Sequence, residues 1–261
     1  MNVSFNFDAT TAWVEGSDWD FHERQYATPY KSTIAFADFL AAKDVLTDRC
    51  AKVLDVGAGM GGISWYLSQR FGKTTFHGID LNGECVDRGN SRFAQLGATR
   101  CHLAQGDLYK IDATNINAFD GIISLATLSW LPDFESAAEC LIDLNPEWVA
   151  ATSLFYNGPV DATIVTKDYS RPIGGVPFTE KFYNIYSLPR VEQFFASHGY
   201  TTFSSQPFEI DIDLPRPEHG GMGTFTESLS DGRRLQISGP VLMSWYFILA
   251  RKEQAILRVA M

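Results

Sequence analysis

A glycine-rich turn with an acidic residue beside it is the part of the chain whose residue types best suit chemistry. Asp55 lies two positions before Gly57, and Gly59 and Gly61 follow at alternate positions. Glycine adopts positive φ readily and lets the backbone approach a ligand closely. An apolar segment precedes the turn and an amphipathic run, 63–71, follows it, which is the order strand, loop, helix. The pattern predicts a loop for a nucleotide-containing cofactor, and its lack of lysine argues against a P-loop.

A second carboxylate lies at the end of the next predicted strand. Residues 74–80 form this strand in our interpretation, and Asp80 follows Gly57 by 23 positions. An ionised carboxylate can accept hydrogen bonds from both hydroxyls of a ribose. Gly57, Gly59 and Gly62 also satisfy the G-x-G-x-x-G pattern of dinucleotide-binding proteins. An NAD(P)-dependent oxidoreductase is therefore an alternative, as is a non-catalytic protein that binds a cofactor and regulates a partner.

Further segments carry a resemblance to a known family. After the glycine loop and Asp80 come Gln105-Gly106-Asp107-Leu108, behind a third predicted strand, and then 119–133, a predicted fourth strand with its loop. Over roughly residues 45–251 the chain resembles the class I S-adenosylmethionine-dependent methyltransferases, in their small-molecule branch. The resemblance implies S-adenosylmethionine as cofactor and S-adenosylhomocysteine as product. It also implies a small-molecule methyl acceptor: a metabolite, a natural-product intermediate or a nucleotide-linked sugar.

The residues around the glycine loop agree with this resemblance. S-adenosylmethionine carries a positive sulfonium and no phosphate, so acidic and aromatic groups suit its site better than lysine or arginine. In the family an acid after the third strand meets the adenine amino group, and an N-terminal tyrosine or arginine meets the methionine carboxylate or covers the methyl. The resemblance assigns the cofactor site to Asp55, Gly57, Ala58, Gly59, Gly61, Asp80, Leu81, Gly106, Asp107, Leu108, Leu125, Trp130, Tyr26 and Arg24.

Two histidines are the candidate general bases. Methyl transfer needs a base only when the acceptor must lose a proton. His22 lies in the N-terminal segment that folds over the cofactor in related enzymes, and His219 lies in a loop rich in proline and glycine. A solvated histidine without a function is the alternative for each. Methylation of oxygen, nitrogen or carbon fits the pattern equally. Candidate acceptor contacts are Tyr30, Tyr156, Arg171 and Tyr183.

Strand and helix patterns alternate along the chain and predict an α/β fold. Such alternation specifies a parallel, doubly wound sheet with ligands at the carboxyl ends of the strands. The resemblance adds a Rossmann-like sheet of seven strands, whose antiparallel last strand lies between the sixth and the fifth. Strands are expected near 52–56, 74–79, 100–104, 121–125, 148–155, 201–210 and 243–250, and helices near 30–46, 62–71, 83–96, 134–144 and 188–198.

We expect one methyltransferase domain, 1–261, with additions to its core. Ser230-Asp231-Gly232 predicts a two-residue hairpin turn between strands at 224–228 and 233–238. The acceptor pocket is expected between the N-terminal segment, a lid and this hairpin. The parts are an N-terminal helical cap (1–48), a cofactor-binding half (49–155), the lid insertion (156–187) and a C-terminal half with the hairpin insertion (188–261).

Composition limits the partners and the compartment. The chain has 31 acidic and 21 basic residues, a net charge of -10, which disfavours nucleic-acid substrates. Its start lacks the pattern of a signal peptide and no segment is long enough to span a bilayer, so we expect a cytoplasmic protein without a membrane partner. Monomer and homodimer both fit. The spacing of Cys50, Cys85, Cys101 and Cys140 predicts free thiols and no metal.

Overall fold

Alternating strands and helices make up the described part of the chain. A computed structural model describes residues 19–46, 51–111, 119–170, 175, 177–217 and 222–253. The helices are α1 (Trp19–Ala27), α2 (Lys31–Ala42), α3 (Gly62–Arg70), α4 (Gly83–Leu96), α5 (Phe134–Asp143) and α6 (Leu188–Ser197). The strands are β1 (Ala51–Val56), β2 (Thr74–Asp80), β3 (Cys101–Gln105), β4 (Gly121–Leu125), β5 (Trp148–Ser153), β6 (Phe155–Tyr156), β7 (Val165–Asp168), β8 (Thr179–Phe182), β9 (Tyr186–Ser187), β10 (Thr202–Phe208), β11 (Thr224–Ser228), β12 (Arg234–Ser238), β13 (Val241–Leu242) and β14 (Trp245–Arg251).

Seven strands form the central sheet, in the order β3-β2-β1-β4-β5-β14-β10. β14 is antiparallel to both β5 and β10, and the other neighbours are parallel. This confirms the predicted Rossmann-like α/β fold with its antiparallel last strand. From β1 the sheet continues through β2 and β3 on one side, and from β4 it continues through β5, β14 and β10 on the other. The carboxyl ends of β1 and β4 therefore form the switch point at which ligands bind in such sheets.

The two faces of the sheet bury separate hydrophobic layers. Val53 and Phe76 pack on the face covered by α2, α3 and α4, while Leu54 and Ile122 pack on the face covered by α5 and α6. Alternate residues of a strand point to opposite faces, so a strand in the middle of the sheet must be apolar throughout. β5 is buried along its whole length, and its first four residues, 148–151, are apolar.

Polar caps and left-handed residues set the ends of the helices. The Asn82 side chain accepts hydrogen bonds from two N–H groups in the first turn of α4, and the Asp133 side chain accepts one, from Ser136, in the first turn of α5. Gly97, with φ of 65°, ends α4, and Gly199, with φ of 86°, follows α6 as predicted. The helix expected over 30–46 is shorter than predicted, because α2 ends at Ala42.

The predicted hairpin forms, but its turn differs from the prediction. β11 and β12 pair, and the N–H of Leu229 donates to the carbonyl of Arg233 at 2.7 Å. The loop therefore has three residues, 230–232, and the two-residue turn was wrong. Gly232, with φ of 84°, takes the left-handed position that closes a three-residue loop. The hairpin is extended by β13 into a three-stranded sheet.

The predicted lid contains two small ladders, since β6 pairs with β9 and β7 pairs with β8. Cys50, Arg171, His219 and residues 1–18 lie outside the described residues. Among the residues that are described, no helix is both long enough and apolar enough to cross a membrane.

Candidate active site

The glycine loop between β1 and α3 adopts the backbone conformation that its sequence predicts. Gly57, Gly59 and Gly61 have φ values of 74°, 54° and 80°, in the left-handed region that side chains disfavour. The N–H groups of Gly57 and Ala58 donate to the carbonyl of Ile79 at 2.9 and 3.0 Å. These bonds fix the loop against the end of β2.

Space around the loop is also limited. A Cβ on Gly57 would lie 2.3 Å from Oγ1 of Thr127, and a Cβ on Gly59 would lie 2.6 Å from Cε1 of His22. Both distances are shorter than any real contact, so glycine is required at these positions for two reasons, backbone conformation and lack of room.

Asp80 ends β2, and its two carboxylate oxygens bind the glycine loop and the turn that follows β2. Oδ2 accepts the N–H of Gly59 at 2.7 Å, and Oδ1 accepts the N–H of Asn82 at 2.9 Å. An ionised carboxylate has lone pairs for further donors after these two bonds. The geometry therefore leaves Asp80 able to accept the hydroxyls of a ribose while it holds the glycine loop.

Asp55, the other acid of the loop, is buried beneath it. Its side chain is 1% exposed, and Oδ2 accepts the hydroxyl of Ser64, on α3, at 2.7 Å. Burial raises the pKa of Asp55 from its ordinary value of 3.8 to about 7; the Ser64 hydrogen bond lowers it and the charge of Asp80 raises it. The structure thus places Asp55 as a brace between β1 and α3, at the base of the loop.

The end of β3 supplies the next group of predicted cofactor residues. The N–H of Gly106 donates to the carbonyl of Asp80 at 2.9 Å, which joins this end to β2. Asp107 accepts the N–H of Tyr109 at 3.0 Å, and the Lys110 ammonium, 2.8 Å away, lowers the pKa of Asp107. Leu108 is buried, while Leu81, on the neighbouring turn, is half-buried.

Helix α1 lies across the glycine loop. The Tyr26 hydroxyl donates to the carbonyl of Met60, and a Cβ on Gly62 would lie 2.7 Å from Cβ of Gln25. His22 is on the same face, beside Gly59 and 4.0 Å from Sγ of Cys85. His22 and Tyr26 are therefore brought to the loop, as the sequence analysis expected of the N-terminal segment.

Arg24 is not brought to the loop. It follows His22 by two positions, which is about half a turn around a helix, and its side chain is exposed. The face of α1 that carries His22, Gln25 and Tyr26 is the one in contact with the loop, so Arg24 points away from it. Arg24 therefore lies on the face of α1 opposite the loop, and its role in cofactor binding stays a prediction.

The loop after β4 closes the other side of the glycine loop. Leu125 is half-buried, and Ala126 has φ of 54°, an unusual value for a residue with a side chain. Thr127 packs against Gly57, as its distance to a Cβ there shows. Trp130, three residues on, lies 4.7 Å from Tyr183 between ring centroids. The sequence pointed to this loop but not to Thr127, because its approach to Gly57 depends on the pairing of β1 with β4.

The candidate acceptor residues are placed differently from one another. Tyr156 is 49% exposed, just beyond the carboxyl end of β5. Tyr30 packs against Phe21, with 5.2 Å between ring centroids, and its hydroxyl donates to the carbonyl of Phe21. Tyr183 is 1% exposed, packed between Trp130 and Trp245. Tyr30 and Tyr183 thus have packing positions, and Tyr156 has an open one.

The other histidines that the structure describes, His77, His102 and His198, pack against neighbouring residues. His77 and His102 face each other across β2 and β3 with ring centroids 5.5 Å apart. Burial, followed by the charges of Lys52 and His102, lowers the pKa of His77. His198 places Nδ1 2.8 Å from the carbonyl of Phe194 at the end of α6. Within the described ranges no three histidine, cysteine or acidic side chains are grouped as metal ligands would be.

Comparisons with known proteins agree with this geometry. Residues 53–147 match the family model described as a methyltransferase domain. Over 56 residues the chain is 39% identical to phosphoethanolamine N-methyltransferase from Plasmodium falciparum, covering 20% of this chain and 21% of that protein. Over 75 residues it is 33% identical to the uncharacterized protein YbxB from Bacillus subtilis, covering 29% of this chain and 35% of that protein. The chain thus spans at most 35% of the length of these relatives.

A solved structure extends the likeness to nearly the whole chain. Magnesium protoporphyrin IX methyltransferase from Synechocystis PCC 6803 with bound SAM matches with a TM-score of 0.57 and 14% identity, over 97% of this chain and 100% of that one. At this identity the likeness concerns the fold. Residues 53–147 thus match a methyltransferase domain, and the fold around them is the one that this solved methyltransferase has, in agreement with the prediction of a methyltransferase.

Proposed function

We propose that this protein transfers the methyl group of S-adenosylmethionine to a small-molecule acceptor. The observation that carries the proposal is the junction of the glycine loop with Asp80. The left-handed glycines set the shape of the loop, and the Asp80 carboxylate accepts the N–H of Gly59. This junction lies inside the segment that matches the methyltransferase domain.

The residues present fit this cofactor. A side chain on Gly57 or Gly59 would clash with Thr127 or His22, which close around the loop. Two carboxylates, those of Asp80 and Asp107, lie beside the glycine loop. Their negative charge suits a cationic cofactor that has no phosphate. When bound, S-adenosylmethionine supplies an electrophilic methyl on a sulfonium. In our proposal Asp80 accepts the ribose hydroxyls, Asp107 the adenine amino group, and Asp55 stays beneath the loop as a brace.

Other residues orient the reactants and exclude water. We propose that α1, the lid and the hairpin cover the carboxyl edge of the sheet, because displacement at a methyl carbon needs close alignment of the nucleophile and a dry site. His22 lies beside Gly59 of the glycine loop, so we place it as a cofactor contact first and a base second.

The net charge supports a small acceptor rather than a nucleic acid. At -10 the chain would repel a phosphate backbone. The match of residues 53–147 to a methyltransferase domain weighs against the oxidoreductase alternative.

Isothermal titration calorimetry tests the proposal. We expect saturable binding of S-adenosylmethionine and S-adenosylhomocysteine and no binding of NADH or NADPH. Binding of a nicotinamide cofactor with no response to S-adenosylhomocysteine would overturn the assignment. Incubation with S-adenosylmethionine and a panel of metabolites, with S-adenosylhomocysteine measured as product, separates an enzyme from a protein that only binds the cofactor.

A further inference from the structure

Two residues at the end of the lid insertion hold the loop that follows β4. The Asn184 amide nitrogen donates to the carbonyls of Leu131 and Pro132 at 2.8 and 3.1 Å. The N–H of Asn184 donates to the carbonyl of Ser129 at 2.7 Å, and the Tyr186 hydroxyl to that of Leu128 at 2.9 Å. Four carbonyls of the loop 128–132 are thus bound by two residues more than 50 positions away.

Asn184 can occupy only one orientation in this network. Its side-chain oxygen accepts the N–H of Ile164 at 3.0 Å while its nitrogen donates to two carbonyls, so a reversed amide would set like groups against each other. The residue is 1% exposed, and water cannot replace these bonds cheaply. Asn184 therefore joins the lid strands to the loop as a fixed link.

The same loop reaches the cofactor cradle at its other end. Ala126 keeps its left-handed conformation while its N–H donates to the carbonyl of Thr152 at 3.0 Å. Such a conformation persists only where the surroundings hold it. Thr127 comes next, packed against Gly57. Any shift of the carbonyls at 128–132 would move Thr127 relative to the glycine loop.

We propose that Asn184 and Tyr186 are positioning residues for the cofactor site. They hold the loop 126–132 against Gly57, so that the insertion on the acceptor side also sets cofactor affinity. The inference rests on the proposed function for the identity of the cofactor. By linkage, an acceptor that packs against the insertion changes the affinity for the cofactor, and the cofactor changes the affinity for the acceptor by the same factor.

Matched substitutions test the proposal. Tyr186→Phe and Tyr200→Phe each remove one buried hydroxyl that donates to a main-chain carbonyl, but Tyr200 binds Pro146, before β5, at the far end of the sheet. Asn184→Ser removes the hydrogen bonds of the Asn184 side chain to Leu131, Pro132 and Ile164 and keeps its main-chain bond to Ser129. We expect the dissociation constant for S-adenosylhomocysteine to rise about five-fold or more in Asn184→Ser, about two- to three-fold in Tyr186→Phe, and to stay unchanged in Tyr200→Phe.

Hydrogen exchange supplies a readout that a general loss of stability would not give. In Asn184→Ser and Tyr186→Phe the amides of 126–132 and of the glycine loop should exchange faster than in the wild type. In Tyr200→Phe the same amides should exchange at the wild-type rate. Equal affinities and equal exchange in all folded variants would overturn the proposal. If Asn184→Ser does not fold, Tyr186→Phe decides alone, because it keeps the shape of the ring. If the wild type does not bind S-adenosylhomocysteine, the proposed function fails, and exchange still shows whether the loop depends on Asn184.

Discussion

Asp80 holds the glycine loop and, in the proposed site, also binds the ribose. Asp80→Ala removes the acceptor of the Gly59 N–H together with the acceptor of the ribose hydroxyls. We expect the dissociation constant for S-adenosylmethionine to rise ten-fold or more, a loss of about 1.5 to 3 kcal/mol. Calorimetric titration of the folded variant measures it.

Asp120→Ala is the control for this change. Asp120 also accepts a backbone N–H, that of Lys52 at 2.6 Å, but at the amino end of β1, opposite the cradle. Its loss should lower stability and leave cofactor affinity intact. Equal affinities in the two variants would show that Asp80 does not bind the ribose.

Asp55 gives the protein a dependence on pH. Its pKa is about 7 in the folded protein and near 3.8 when unfolded. Below pH 3.8 both states keep the proton; between pH 4 and 7 only the folded state keeps it. The contribution of Asp55 is therefore complete at low pH and lost as pH rises to 7. The free energy of unfolding of wild type minus Asp55→Asn should fall by on the order of 2 kcal/mol between pH 5 and 7. Denaturant unfolding at several pH values measures this difference, and a constant difference would contradict the assignment.

At the scale of elements, the glycine loop and the helix that covers it form one unit. Gly59→Ala forces a side chain into a left-handed position and against His22 on α1. We expect strong loss of S-adenosylhomocysteine binding, because the added methyl displaces either α1 or the loop. Thermal unfolding and calorimetric titration of the same sample separate loss of fold from loss of binding.

Gly97→Ala is the matched control for Gly59→Ala. Gly97 has a similar φ of 65°, at the end of α4, but a Cβ there meets nothing within 4 Å. This variant should show the backbone strain alone, about 1 kcal/mol, with normal binding. Loss of binding in both variants would mean that strain rather than contact with α1 explains the effect at Gly59.

At the scale of the molecule, the hairpin and the lid should differ in their effect on the cofactor. The N–H of Gly239 donates to the carbonyl of Gly223 at 3.1 Å, so residues 224–238 can be replaced by a short Gly/Ser link without moving the ends. We expect cofactor affinity to remain nearly intact and methyl transfer to an identified acceptor to fall by orders of magnitude, because the site is no longer closed to water. Loss of cofactor binding in a folded deletion variant would place the hairpin in the cofactor site.

The amino-acid sequence by itself determined the succession of strands and helices along the chain, the glycine loop and the position of Asp80 at the end of β2. Each of these follows from a local pattern: apolar alternation selects strands, and glycines at alternate positions select a left-handed turn. The three-residue turn at 230–232 was missed because pairing of Leu229 with Arg233, rather than the turn residues, sets the loop length.

Tertiary structure decided which of the candidate residues meet. Only the docking of α1 turns His22 toward the loop and Arg24 away from it, and only the packing of α3 on β1 encloses Asp55. The hydrogen bond from Asn184 to Leu131 joins residues 53 positions apart, and no periodic pattern in either segment indicates it. Contacts of this kind depend on how distant elements are brought together by the sheet, and a local pattern of residue types carries no record of that arrangement.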